Sequence, residues 1–328
     1  MSSTTIEIEC AEGELELGPL DLHHGGRLDA VTLGWRLCGP SAAPLVVALG
    51  GISAHRRVYC TAEHAAGWWK EIVGPNLALP AERFRILSFD YLGGSGATTG
   101  PKAGERFPSI STHDQATLLE RLLDALGLPH IDALIGASYG GMVGLAFAAR
   151  FPARVARLIV ISAAHRTHPM ATAWRSVQRR IVELALEQGD STRGMALARA
   201  LAMATYRSPR EFAARFADEP RRERGRFVFP VEDYLLARGE AYAGRYAPES
   251  FLALSESIDL HRIEPEDVSV PVLAVAIIED QLVPLDDMRE LAARLPNAEL
   301  LEWASHYGHD AFLKETHQLH ALFARLAE

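Results

Sequence analysis

Five short, uninterrupted apolar runs constrain this chain more than any other feature. They are "LVVALG" (45–50), "RILSFD" (85–90), "IDALIGAS" (131–138), "RLIVIS" (157–162) and "VPVLAVAII" (270–278), each bounded by turn residues. A strand with one wet face alternates apolar and polar residues. Runs that are apolar at nearly every position suit strands covered on both faces, as the inner strands of a parallel sheet are. Helical patterns fill most of the intervals. In "STHDQATLLERLLDALGLP", Thr112 and Gln115 have capping-box spacing, and Leu118, Leu119, Leu122, Leu123 and Leu126 form an apolar stripe. Gly127 and Pro129 then stop the helix. Strand and helix alternating in this way predict a doubly wound α/β domain with a mostly parallel sheet. The first forty residues alternate more loosely and read as antiparallel edge strands. "AELLEWAS" (298–305) reads as the last strand and 310–326 as the last helix.

One interval breaks the rhythm. Between His165 and Arg262 no buried strand is expected, and stretches such as "AWRSVQRRIVELALEQG" and "MALARALAMATY" have helical spacing. The expectation is a core domain made of 1–165 and 263–328, with 166–262 inserted as a helical lid. A formal net charge of -9 argues against a nucleic-acid partner. No apolar run is long enough to span a bilayer, and the N-terminal stretch does not read as a secretory signal. Three cysteines, Cys10, Cys38 and Cys60, are odd in number and form no C-x-x-C pair. They predict neither a disulfide framework nor a zinc site, and point to a reducing cytoplasm.

Chemistry is concentrated at "GASYG", residues 136–140, where the third apolar run meets a helical segment. A sharp strand-to-helix turn needs small residues on both sides, and it lifts a serine hydroxyl to the positive end of the helix dipole. Ser138 is therefore the candidate nucleophile. It needs a base and an orienting acid, in the chain order Ser, acid, His. "IIEDQLVP" offers Asp280, which leads directly into the turn, with Glu279 as the alternative. "ASHYGHDAF" offers His309 ahead of the last helix, with His306 read as a loop histidine. His317 and His320 lie one helical turn apart without a third ligand, so no metal is expected. The oxyanion of a tetrahedral intermediate requires two donors. The amide of Tyr139 supplies one, and that of Gly51 or Ile52 the other.

With these residues in place, the chain resembles the homoserine O-acyltransferase family of α/β-hydrolase enzymes. The similarity runs from roughly Ala48 onward. It covers the elbow "GASYGGM", the block "GWWKEIVGPNLALPAERFRILSFDYLGGSGATTGP", the lid segments "SAAHRTHPMATAWRSVQRR" and "ALARALAMATYRSPREF", the stretch "EDYLLARGEAYAGRYAPESFLALSESIDLH", and "EDQLVP" with "YGHDAFLKE". Two positions depart from the family pattern: Tyr139 stands where Met is common, and "LGGISAHRR" replaces a His-bearing loop.

The resemblance implies an α/β-hydrolase fold and transfer of an acyl group from coenzyme A to L-homoserine in methionine biosynthesis. It implies no permanently bound cofactor, acyl-CoA as co-substrate, and often a homodimer formed through the lid. By the same match Arg199, with Tyr206, would hold the amino-acid carboxylate, and Asp310 the ammonium. Arg199 and Tyr206 are seven apart, two turns along one helical face. Arg56 or Arg57 could meet the terminal carboxylate of a succinyl donor, which favours succinyl-CoA over acetyl-CoA. Rival expectations are transfer to L-serine or another alcohol, an ester or thioester hydrolase, and a non-catalytic binding module.

Overall fold

The structure is a computed structural model that describes residues 8–59, 67–94, 96–105 and 107–327. Eight strands form one sheet: β1 (Cys10–Glu16), β2 (Thr32–Cys38), β3 (Leu45–Leu49), β4 (Arg85–Phe89), β5 (Ala133–Ala137), β6 (Leu158–Ile161), β7 (Val272–Ile277) and β8 (Ala298–Trp303). Their spatial order is β1-β2-β4-β3-β5-β6-β7-β8. β1 and β2 pair antiparallel, as do β2 and β4, and the remaining neighbours are parallel. All five apolar runs contain sheet strands, and β3, β5 and β6 are buried at every position.

Two helices cover one part of the core. α1 (Thr112–Ala125) and α2 (Tyr139–Arg150) pack on each other. α1 buries Leu118, Leu119, Leu122 and Leu123, each contributing at most about 1.5–3 kcal/mol. Its cap lies one residue earlier than the spacing suggests: Ser111 is the N-cap, and its amide donates to the Asp114 carboxylate at 2.7 Å.

The insertion leaves and rejoins the core at one point. Arg166 and Arg262 form an antiparallel bridge, and Ile263 N donates to His165 O at 3.0 Å. Between them lie α3 (Pro169–Glu187), α4 (Ser191–Tyr206), α5 (Pro209–Arg215), α6 (Pro230–Ala243) and α7 (Pro248–Asp259), with α4 packed against α3 and α6. The insertion is not purely helical. Arg221–Glu223 and Arg226–Val228 form a small hairpin around Arg224 and Gly225, both at positive φ. Its three-residue, arginine-rich strands are exposed and carry no apolar run.

Two further expectations are corrected. The C-terminal helix is broken into α9 (Ala311–Lys314) and α10 (Thr316–Ala324), preceded by α8 (Leu285–Arg294) before β8. Cys10 and Cys38 form a disulfide. They are 28 apart in sequence but stand directly opposite each other on antiparallel β1 and β2. Counting and local spacing miss a pair created by strand register. Cys60 lies outside the described residues. Among the described residues no helix is long and apolar enough to cross a membrane.

Candidate active site

The C-terminal ends of β3, β5 and β7 converge on one cavity roofed by the lid. β5 runs into α2 through Ser138, whose backbone has φ 54° and ψ -124°. Such a conformation in a non-glycine residue costs about 1–3 kcal/mol and persists only where neighbours fix it. Here Ser138 N donates to Ile161 O at 2.9 Å, and Gly140 N donates to Gly50 O at 2.8 Å. Residue 140 has to be glycine, because a Cβ there would lie 2.4 Å from the Leu49 backbone.

Ser138 Oγ lies 2.8 Å from His309 Nε2, and His309 Nδ1 lies 2.7 Å from Asp280 Oδ2. A carboxylate only accepts, so Nδ1 carries the proton and the Nε2 lone pair faces the hydroxyl. The other Asp280 oxygen accepts from Leu282 N at 2.8 Å and Val283 N at 3.1 Å, which fixes the carboxylate. Burial depresses His309, but Asp280 and Asp310 more than offset this and hold the imidazole above its ordinary pKa.

The alternatives lie elsewhere. Glu279 accepts from Ser305 N at 2.7 Å and braces the loop carrying the base. His306 is exposed, and its carbonyl accepts from Ser208 Oγ at 2.7 Å. His317 and His320 are exposed on α10. Among the described residues no group of three His, Cys, Asp or Glu could hold a metal ion.

Gly51 and Ile52 line the cavity beside Ser138. Among the described residues the amides of Gly51, Ile52 and Tyr139 have no backbone acceptor. The Tyr139 side chain points away from the chemistry. It is fully buried, its hydroxyl lies 2.7 Å from Ser257 Oγ, and it receives a 3.3 Å bond from Gln115 Nε2. Burial drives its pKa well up. Tyr139 packs edge-on against Tyr91, whose hydroxyl donates to Gly50 O at 2.7 Å. Gly50 O thus takes two bonds, and the tyrosine pair stiffens the loop that carries Gly51 and Ile52. This network is invisible in sequence because its members come from five separate segments.

Arg199 and Tyr206 do share a face of α4, with a 3.3 Å bond from Arg199 Nη1 to Tyr206 Oη. The guanidinium lies over Tyr206 at 5.0 Å and over Tyr242 of α6 at 4.6 Å. Burial would lower its pKa, but Tyr206, Tyr242 and Asp310 raise it. Arg199 has no carboxylate ion-pair partner among the described residues. Burial lifts Asp310 above its ordinary value against the pull of Arg207 and His309. Asp310 Oδ2 is 3.1 Å from Arg207 Nε, an ion-pair contact without hydrogen-bond alignment. Sequence reading did not identify Arg207 as this partner.

Arg56 and Arg57 are corrected: neither lines the cavity. Arg56 Nη1 lies 2.6 Å from Asp90 Oδ2, neutralising a buried carboxylate at the end of β4 that would be costly unpaired. Arg57 pairs with Glu12 of β1 at 3.0 Å. Arg166 and Arg175 line the cavity instead.

The lid is fastened to the catalytic loops. Tyr242 Oη is 3.1 Å from Ser53 Oγ, and Tyr246 Oη donates to Ile52 O at 3.0 Å. Gly308, at φ 52°, lets the base loop approach the end of α4. A Cβ there would stand 2.8 Å from Tyr206 O. The arrangement provides a hydroxyl facing a base with its orienting acid, amides without a backbone acceptor beside it, and a half-buried cation without a carboxylate partner among the described residues.

Comparison with known proteins bears on the fold and the family. A profile described as alpha/beta hydrolase fold matches residues 44–316. The homoserine O-succinyltransferase of Xanthomonas campestris pv. campestris is 44% identical over 312 residues, covering 94% of this chain and 82% of that protein. The homoserine O-acetyltransferase of Clavibacter michiganensis subsp. michiganensis is 31% identical over 356 aligned positions, covering 95% and 91%. The crystal structure of homoserine O-acetyltransferase from Staphylococcus aureus superposes with a TM-score of 0.84 at 25% identity, covering 98% of this chain and 96% of that one. The chain belongs to the homoserine O-acyltransferase family, within the α/β-hydrolase fold.

Proposed function

We propose that this enzyme moves an acyl group from acyl-CoA to the hydroxyl of L-homoserine, as a step of methionine biosynthesis in the cytoplasm. Succinyl-CoA is favoured over acetyl-CoA as the donor. Ser138 Oγ attacks the thioester carbonyl while His309 Nε2 takes its proton. The amides of Tyr139 and of Gly51 or Ile52 hold the developing oxyanion. The C–S bond breaks and His309 protonates the departing thiolate. Homoserine then enters, its hydroxyl gives a proton to His309 and attacks the acyl-serine carbonyl, and Ser138 leaves with that proton.

One observation carries this reading. Arg199 is a desolvated cation in the cavity of the nucleophile, stacked on two tyrosines and lacking a carboxylate partner among the described residues. Leaving such a group buried and unpaired is costly, so it suits an incoming carboxylate. Asp310, adjacent in sequence to the base, would meet the ammonium through Oδ1, which carries no hydrogen bond among the described residues. No cofactor is held permanently, and acyl-CoA is a co-substrate. A homodimer through the lid is supported by α3, where Met170, Val177 and Leu184 recur every seven residues and are 52%, 51% and 56% exposed.

Thiol release is the test. Succinyl-CoA and acetyl-CoA are each offered homoserine, serine or water alone. Homoserine should accelerate release from succinyl-CoA most, and intact mass should show a succinyl adduct on Ser138 without acceptor. Release at one rate regardless of amino acid would identify a hydrolase, and fastest release with serine would reassign the acceptor.

A further inference from the structure

The loop after β3 carries Gly51 and Ile52 and is fixed at both ends. At its start Gly50 O accepts from Gly140 N and from Tyr91 Oη. Ala54 N donates to Gly51 O at 2.8 Å and closes a turn. At its far end Arg56 N donates to Asp90 Oδ1 at 2.7 Å, and His55 O accepts from Trp68 Nε1 at 2.9 Å. Gly51, Ile52, Ser53 and Ala54 line the cavity, whereas Arg56 and Asp90 do not. The stretch that reaches the nucleophile is thus slung between two anchors in the core.

Asp90 makes more bonds than the neutralisation of Arg56 requires. It is 4% exposed, just past the end of β4. Its Oδ2 accepts from Arg56 Nη1 at 2.6 Å and from Ala97 N at 3.0 Å. Its carbonyl accepts from Thr98 Oγ1 at 2.6 Å, and its amide donates to Gly34 O at 2.9 Å. Two glycines make room for the pair. A Cβ at Gly34 of β2 would stand 2.5 Å from Arg56 Nη1, and one at Gly96 would stand 2.5 Å from the Asp90 carboxyl carbon. An ion pair alone tolerates many orientations. A carboxylate that accepts from the main-chain amides of two different loops fixes where both loops run. Amide bonds to a carboxylate are also roughly twice as strong as neutral ones, so the tether at Arg56 outweighs those at Gly50 and His55.

We infer that Asp90 is a positioning residue for the oxyanion site: by holding the Arg56 amide, its carboxylate sets the reach of the loop whose Gly51 or Ile52 amide meets the oxyanion. The inference rests on the acyl-transfer reading above, in which that amide is the second donor. Asp90 touches no substrate and acts only through the loop. The guanidinium of Arg56 has the separate task of offsetting the buried charge. The anchor and the ion pair are therefore separable: a neutral side chain with an acceptor oxygen in the same place keeps the first without the second.

The test compares two double variants that both remove the ion pair. Arg56→Met with Asp90→Asn keeps an acceptor for the residue-56 amide, and Arg56→Met with Asp90→Leu removes it at nearly the same volume. Two quantities are read: acylation of Ser138 by succinyl-CoA without acceptor, and the inhibition constant of an alkyl trifluoromethyl ketone. Ser138 Oγ adds to the ketone carbon, the carbonyl electron pair moves to oxygen, and the serine proton passes to His309, so the adduct needs the same oxyanion donors. The Leu form should lose roughly a hundredfold in acylation kcat, the effect of misplacing a reacting-site group by about 1 Å. Its KM should stay within about twofold, and the ketone should weaken by a factor comparable to the kcat loss. The Asn form should stay within about threefold of wild type in both quantities. A Leu form with wild-type kcat and ketone affinity overturns the inference. So do equal losses in the two forms, which would mark the ion pair as a purely structural device, and a kcat loss that leaves ketone affinity untouched. Should the Leu form not fold, Asp90→Ala with Arg56→Met removes the same acceptor and carries the same expectation. If homoserine accelerates thiol release from no donor, the transfer reading fails, while ketone affinity still reports on the anchor.

Discussion

Replacing Arg199 by Leu should separate acceptor binding from acylation. The guanidinium is held by stacking on Tyr206 and Tyr242 and by one hydrogen bond to Tyr206, leaving donors for a ligand. Two charge-assisted bonds to a carboxylate contribute about 1.5–3 kcal/mol each, or about 3–6 kcal/mol together. That corresponds to a loss of roughly two to four powers of ten in kcat/KM for homoserine. Arg199→Lys keeps the charge without the planar fork and should lie between. Acyl-adduct formation on Ser138, read by intact mass without acceptor, should proceed in both variants.

The internal control is 3-aminopropanol, which is homoserine without its carboxylate. The wild type should use it as poorly as Arg199→Leu uses homoserine, and Arg199→Leu should lose little more with it. Stability needs checking alongside. Two lost cation–π contacts cost about 0.5–2 kcal/mol each, offset by no longer burying a charge, so the melting temperature should move little. If Arg199→Leu keeps homoserine kcat/KM within about threefold of wild type, Arg199 does not hold the acceptor carboxylate and the central argument for an amino-acid substrate fails.

Three further expectations follow from named contacts. His309 must be neutral to accept the serine proton, and its pKa is raised, so the rate of Ser138 acylation should fall with acidity through an inflection above 6.5. Asp310→Asn removes one of the raising charges and should move that inflection down; an inflection at or below 6.5 in the wild type contradicts the electrostatic account. Tyr139→Phe deprives Ser257 and Gln115 of a buried partner. It should cost about 1–3 kcal/mol by denaturant titration with kcat within about twofold, and a large kcat loss at unchanged stability would place the hydroxyl in the chemistry. Finally, the Cys10–Cys38 bond closes a separation of 28 residues. Changing both cysteines to Ser should lower stability by up to about 3–4 kcal/mol, and a melting temperature insensitive to reductant would show that the bond does not form in solution.

What sequence revealed and what it hid follow one physical distinction. The inner strands were legible because burial on both faces leaves an apolar run that needs no partner to be recognised. The elbow at Ser138 was legible because crowding around a sharp turn selects glycines within a few residues. Asp280 and His309 could be placed because each follows a strand whose position is set by the sheet. Contacts that depend on register or on helices meeting across the lid left no local trace. Cys10 and Cys38 meet only because β1 and β2 pair in one register. The same limit explains the arginines near residue 56. Their position after the loop that carries Gly51 and Ile52 suggested a donor contact, but a buried Asp90, just past the end of β4, takes Arg56 first.

A serine triad does not by itself decide between water and an alcohol as acceptor. The discrimination has to reside in what surrounds it, and here the surroundings are one piece with the machinery. Tyr242 stacks on Arg199 and also lies within hydrogen-bond distance of Ser53, next to Ile52. Tyr246 holds the Ile52 carbonyl, while Ser208 and the end of α4 hold the loop bearing His309 and Asp310. On the proposed function, an amino acid seated between Arg199 and Asp310 would load the struts that position the amides around Ser138 and the base. Water seats nothing there. An acyl-enzyme in this cavity should consequently wait for its acceptor, so hydrolysis of an isolated Ser138 adduct should be slow and homoserine should discharge it. An adduct that water and homoserine clear at the same rate would mean that the lid and the triad act independently.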